Sequence, residues 1–286
     1  MNELYARVSS KTKQALYQFM KDQDISLLNY HFEYYFQFCI QKNNIQVLSH
    51  HFSNHKIEGL TIVDELGTSF SYEKGNPKVK QNFTLCHELG HFILKHDGNY
   101  FAESIDNQEN LLEHEANIFS AVVLMPDIVL LSKIYYNYET FQRVQNSLEV
   151  SKQALSFRLL DFLREYYPSK DSEVRQAVET YIEGKNTFIF RLFHDIREQI
   201  IDEFNQFQPS LVNQVKQRVS KLGFATSLEY PGLLNQDNWK VIKESSSNLK
   251  TWLVYNKGQS IAYVWDKEKF SDEEAKRKAE LKLLLM

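Results

Sequence analysis

Two histidines four residues apart, in the run His87-Glu88-Leu89-Gly90-His91, constrain this chain more than any other feature. On a helix that spacing stacks the two imidazoles one turn apart on one face, within reach of a single zinc ion at about 2.0–2.1 Å. Glu88 lies about 100° further round the helix than His87. It can flank a metal without binding it, placed to take a proton from water. Leu85, Leu89, Phe92 and Ile93 make an apolar stripe on the other side. The segment therefore reads as a helix with one side in a core and the other turned to chemistry. A surface helix carrying two solvated histidines is the competing reading of the same pattern.

A catalytic zinc site takes three protein ligands and keeps a position open for water. The next helical stretch offers Glu109, Glu113, His114 and Glu115. Glu113 and Glu115 are two residues apart and point to opposite sides of a helix, so only one of them can face the motif. Glu113 is preferred, because Asn117 follows one turn on and its amide can hydrogen-bond a ligating histidine from behind. His114 reads as an exposed polar residue.

Around the motif the 286-residue chain reads as α+β. Residues 9–42 have helical periodicity, and strand-like runs follow at 45–52, 59–64 and 69–72. Pro77 ends the sheet-like region, a helix runs to about His96, and Asp97-Gly98-Asn99 stops it. The next helix ends at Met125-Pro126, and two or three short helices fill 127–167. Pro168-Ser169 marks a candidate boundary. Beyond it come helical runs at 172–184, 188–204 and 211–222, then strand candidates at 239–243, 251–255 and 260–265, and a charged terminal helix at 272–285. The expected division is 1–130, a 131–168 helical segment, and 169–286 as an α+β module of its own.

Composition narrows the function classes. Apolar residues make up 43% and aromatics 14%, enough to fill sizeable cores, while only 9 glycines and 5 prolines argue against a loop-rich all-β fold. A formal net charge of −4 gives no general drive toward nucleic acid or anionic membrane. Cys39 and Cys86 read as buried free thiols of a reducing compartment. The polar N-terminus has no signal-peptide pattern and no run is expected to span a bilayer, so a cytoplasmic location is expected.

Phe83-Thr84-Leu85-Cys86-His87-Glu88-Leu89-Gly90-His91, followed by Glu113-x-x-Ala116-Asn117-x-Phe119 and Leu124-Met125-Pro126, resembles the ImmA/IrrE family of zinc metallopeptidases. The resemblance covers roughly 45–126. It implies a compact zincin-like domain, a short sheet plus active-site helices, with Zn²⁺ on His87, His91 and Glu113 and Glu88 as general base. It also implies an endopeptidase that cleaves a helix-turn-helix transcriptional repressor, in mobile-element or stress regulation. Ser120 stands where alanine is commoner in the family.

Residues 150–159 resemble the helix that follows the peptidase core in that family. The pattern also suits the second helix of a helix-turn-helix, with Lys152, Gln153 and Arg158 outermost, although a packing helix with a solvated face accounts for it more simply. His50, His51 and His55 read as strand and loop residues rather than a second metal site, and His96 as a favourable charge at a helix C-terminus. The expected partner is a protein substrate, with direct DNA binding less favoured and no membrane. The alternative to an enzyme is a zinc-containing regulator that binds a repressor or DNA without turnover. A zinc aminopeptidase ranks lower, since no motif for gripping a free amino terminus is evident.

Overall fold

The change of period at Pro77 is a local change of architecture: the strands between residues 46 and 73 end before it, and the motif helix begins at Lys78. The computed structural model describes residues 3–52, 57–65, 67–96, 100–104, 110–256 and 258–285. Glu109, His55 and the expected helix stop Asp97-Gly98-Asn99 lie outside the described residues. The molecule divides into two compact units, Met1–Phe207 and Gln208–Met286.

In the first unit, α1 (Glu3–Asp22) and α2 (Phe32–Asn43) split the single helical stretch expected over 9–42. Asp24 takes a left-handed φ of 51°, and His31 caps α2 by accepting the Glu33 N–H. Strands β1 (Gln46–His50), β2 (Ile57–Asp64) and β3 (Gly67–Glu73) form the sheet, joined by β4 (Tyr100–Ser104), which the sequence reading passes over. The order is β1-β3-β2-β4, with β1 parallel to β3 and the other pairs antiparallel. In the β2–β3 register Thr61 sits opposite Phe70, and both are buried on one face. The motif helix α3 (Lys78–Leu94) packs across that face, bringing Phe92 edge-on to Phe70.

Helix α4 (Leu111–Leu124) covers the other side of α3. Gly90 permits this close approach: a Cβ there would lie 3.2 Å from the Ala116 Cα and 3.1 Å from the Phe119 ring. Ser120 serves the same contact, donating its hydroxyl to the Phe83 carbonyl at 3.0 Å. After Met125-Pro126 the chain resumes as α5 (Asp127–Leu130) and continues as a π-helical turn, Leu131–Tyr136. The whole run Leu111–Tyr136 is long and apolar enough to cross a membrane by length and composition, contrary to the expectation from sequence. Its apolarity has a local cause, since 78% of its most apolar window is buried inside the protein.

Helices α6 (Phe141–Ser147), α7 (Lys152–Tyr166), α8 (Asp171–Ile182) and α9 (Thr187–Asn205) complete the first unit. The boundary expected at Pro168-Ser169 therefore falls inside a unit. Val174, Val178, Tyr181, Ile189, Phe193 and Ile196 of α8 and α9 belong to the same apolar core as Leu89 of the motif helix and Leu16 of α1. Arg158, expected on the outside of α7, is 1% exposed. Its guanidinium is bonded to the Asp127 carboxylate, to the Tyr5 hydroxyl at 2.6 Å and to the Met125 carbonyl at 3.1 Å. Lys13 reaches the other Asp127 oxygen at 3.1 Å. Lys152 and Gln153 do lie at the surface.

The second unit runs α10 (Leu211–Leu222), β5 (Phe224–Thr226), α11 (Asp237–Ser245), β6 (Leu249–Asn256), β7 (Gln259–Asp266) and α12 (Asp272–Leu284), with sheet order β5-β7-β6. Residues 239–243, expected as a strand, are helical. Trp239 and Ile242 turn inward at a spacing of three, while Val241 stays exposed, which is a helical and not an alternating pattern. Alternation is found in β7: Ile261, Tyr263 and Trp265 face α12, while Ala262 and Val264 face α10 and α11.

Candidate metal centre

The motif histidines are not solvated. His87 and His91 are each 1% exposed and Glu88 is fully buried, because α3 is covered by the sheet on one side and by α4 on the other. Their Nε2 atoms lie 3.0 Å apart. Glu113, in the first turn of α4, brings Oε2 to 3.0 Å from the His87 Nε2 and Oε1 to 3.6 Å from the His91 Nε2. One ligand atom from each of His87, His91 and Glu113 thus falls within 4.8 Å of the others, a grouping fit to hold a metal ion.

The electrostatics suit that use. Burial pushes His91 down to about 3, with the neighbouring His87 adding to the effect, so the ring is neutral at physiological pH. Burial works against the charge of Glu113, but the hydrogen bond and field of His87 and the field of His91 outweigh it and hold the carboxyl below its ordinary range. Two imidazoles, that of His91 neutral, and a carboxylate converging on one point match the His₂Glu donor set that catalytic zinc sites use.

Both histidines are held from behind. The His87 Nδ1 lies 2.9 Å from the Asn117 Oδ1, the amide support expected one turn beyond Glu113. The His91 Nδ1 lies 2.8 Å from the His96 Nδ1. The His96 Nε2 lies 3.0 Å from the Glu115 Oε2, and Arg7 of α1 pairs with the other oxygen of Glu115. Burial opposes the charge of Glu115, yet hydrogen bonds from Arg7 and His96 bring its carboxyl below the usual range. Glu113 and Glu115 therefore do face opposite ways, one toward the histidine pair and one away, and His114 is exposed.

Glu88 is set apart from the three converging atoms. The Thr61 hydroxyl of β2 donates to its Oε2 at 2.5 Å. Nothing in the local sequence of β2 points to Thr61, and only the packing of α3 on the sheet brings the two together. His96 is more than a charge at a helix end, since its ring is bonded on both sides. Lys95, a non-glycine residue at a φ of 59°, turns the chain back beneath His91, and the local sequence carries no signal of that turn. His50 and His51 join no metal-type cluster among the described residues, and His51 pairs with Glu73 instead. Cys39 and Cys86 are buried free thiols, as expected.

Residues 40–160 match the family model described as the IrrE N-terminal-like domain of the M78 peptidases. The match begins before β1 and ends within α7, so it takes in the sheet, both site helices and the Asp127–Arg158 contact. A comparison with curated proteins finds no match for the chain.

Proposed function

From the chain's membership of the ImmA/IrrE family through residues 40–160, we propose that it is a zinc-dependent endopeptidase with His87, His91 and Glu113 as ligands and Glu88 as general base. The observation that carries the reading is the division of labour among four buried side chains. Three converge on one point, and the fourth is turned aside and held by Thr61. A purely structural zinc site has no use for a carboxylate beside its ligands, which disfavours the non-catalytic regulator.

Zinc on these ligands would supply Lewis-acid polarisation of water and of the scissile carbonyl. Glu88 accepts the proton of the attacking water and returns it to the leaving nitrogen. Thr61 donates to one Glu88 oxygen and so directs the other as the proton acceptor. Asn117 and His96 hold the two histidine rings in place. The substrate peptide adds as a strand to the edge of the sheet. Of the two outer strands among those described, β4 neighbours the Thr61 strand directly, whereas β1 lies beyond β3.

The substrate proposed on the family's pattern is a helix-turn-helix repressor, met in the cytoplasm. Direct DNA binding by 150–159 is less favoured now that Arg158 is inside the core. The test is Glu88→Gln. Zinc content should stay at one per chain, while cleavage of a repressor substrate falls by about 10²–10⁴, the usual contribution of a positioned general base. Undiminished cleavage by this variant would remove Glu88 from the mechanism. Co-elution of intact repressor with wild-type protein, zinc loaded and with no fragments, would favour the binding role.

A further inference from the structure

The two motif histidines are supported unequally. The His87 Nδ1 meets the Asn117 amide, whereas the His91 Nδ1 begins a chain of three side chains that ends at the surface on α1. Protons can be placed along that chain by elimination. Arg7 can only donate and an ionised Glu115 can only accept, so the carboxylate is held by Arg7 on one oxygen and takes the His96 Nε2–H on the other. An imidazole whose single ring proton sits on Nε2 has a lone pair on Nδ1. The His91 Nδ1, 2.8 Å away, must then be the donor of that contact. His91 is left with its lone pair on Nε2, the atom that faces His87 and Glu113.

The backbone reinforces the arrangement. Lys95 in the left-handed region lets the His96 N–H bond the His91 carbonyl at 3.1 Å and its own N–H bond the Phe92 carbonyl at 3.2 Å, a Schellman-type close. His96 is thus tied to His91 by main chain and by ring. The rings meet edge to face, with centroids 4.9 Å apart and planes at 75°.

We propose that Arg7, Glu115 and His96 are positioning residues that fix the tautomer and orientation of His91, so that its Nε2 lone pair is presented to the metal. The inference rests on the zinc reading above. It assigns a role in the metal centre to α1, which lies outside the residues matched by the family model.

Zinc affinity by competition with a chromophoric chelator, and the visible spectrum of the cobalt-substituted protein, test it on the full chain. His96→Phe keeps ring volume and removes the acceptor, and should weaken zinc about tenfold to a hundredfold and alter the cobalt spectrum. His96→Asn places an amide oxygen near the position of Nδ1 and should recover most of the affinity and the wild-type spectrum. A packing role alone would not be rescued in this way. Arg7→Met, at a 62% exposed side chain, should fold normally and weaken zinc in the same direction by less. Wild-type zinc affinity and spectrum in His96→Phe would overturn the relay and leave the zinc site standing, as would an Asn variant no better than Phe. If His96→Phe does not fold, Glu115→Gln and Arg7→Met decide, and unchanged zinc affinity in both overturns the relay. Wild-type protein that takes up no zinc would overturn the metal centre and the relay with it.

Discussion

Two buried polar clusters lie in the first unit, built from similar residue types to opposite ends. Around Asp127, one carboxylate meets two cations: Lys13 at 3.1 Å and the Arg158 guanidinium, which also spans to Tyr5 and Met125. Burial alone would push Lys13 down and Asp127 up, yet their mutual attraction, with Glu203 assisting Lys13, reverses both directions. Around Glu113, one carboxylate meets two histidines whose ligand atoms converge with its own on the same point, and burial keeps His91 neutral. With the carboxylate of Glu203, 2.8 Å from Lys13 at the rim, the first cluster is neutralised within the protein and acts as architecture. The second gathers three ligand atoms at one point, an arrangement that could hold a cation. What separates structure from function here is charge balance, not burial, since, Glu203 at the rim aside, members of both clusters are at most 9% exposed.

The sharpest way to test that contrast is to remove one member of the neutralised cluster. Asp127→Ala leaves two buried cations without their common partner, and breaking a buried pair in this way costs about 3–5 kcal/mol. Urea unfolding should show this loss in metal-free and zinc-loaded protein alike. Zinc affinity of the fraction that remains folded should change little. A loss of zinc binding comparable to the loss of stability would mean that the two clusters are one system.

The same contrast explains what could be read from sequence. Spacing within one helix encodes which side chains share a face, so the pairing of His87 with His91 and of Glu113 with Asn117 was legible from local periodicity, whereas joining Glu113 to the histidines leaned on the family resemblance. Thr61 was not, because its contact with Glu88 spans 27 residues and depends on the β2–β3 register beneath α3. Arg7 meets Glu115 across 108 residues, and no local pattern reports such a pair. Arg158 misled in the opposite way. Arginine on a helix is ordinarily solvated, and only the Asp127 and Met125 oxygens beneath it make its burial tolerable. The boundary at 168/169 failed for a related reason: a proline between helices marks a turn, and whether the next helix rejoins the same core is a tertiary matter.

Helix α4 serves both clusters, with Glu113 in its first turn and the Met125 carbonyl just past its end, so its distance from α3 matters to each. Gly90→Ala would add a methyl 3.2 Å from the Ala116 Cα and 3.3 Å from its carbonyl oxygen, backbone atoms that cannot swing aside. Overpacking of this kind costs about 1–3 kcal/mol. Unlike Asp127→Ala, this variant should also weaken zinc, since separating α3 from α4 moves Glu113 away from the histidines. Retained zinc affinity with reduced stability would show that α4 shifts along its axis rather than away from α3.

The smallest expected effect isolates the base from the metal. Thr61→Val keeps the volume of a side chain that is 1% exposed and removes only the hydroxyl that donates to Glu88. Zinc affinity should stay within about twofold, because Thr61 touches none of the three ligands in the contacts that define the site. The rate of cleavage should fall about tenfold, corresponding to roughly 1.4 kcal/mol, near the lower end for a hydrogen bond to a charged group. The loss should fall on kcat rather than KM, since a misdirected Glu88 impairs proton transfer without altering the strand edge proposed to bind substrate. A rise in KM at constant kcat would instead place Thr61 in substrate binding and leave the orientation of Glu88 to other contacts.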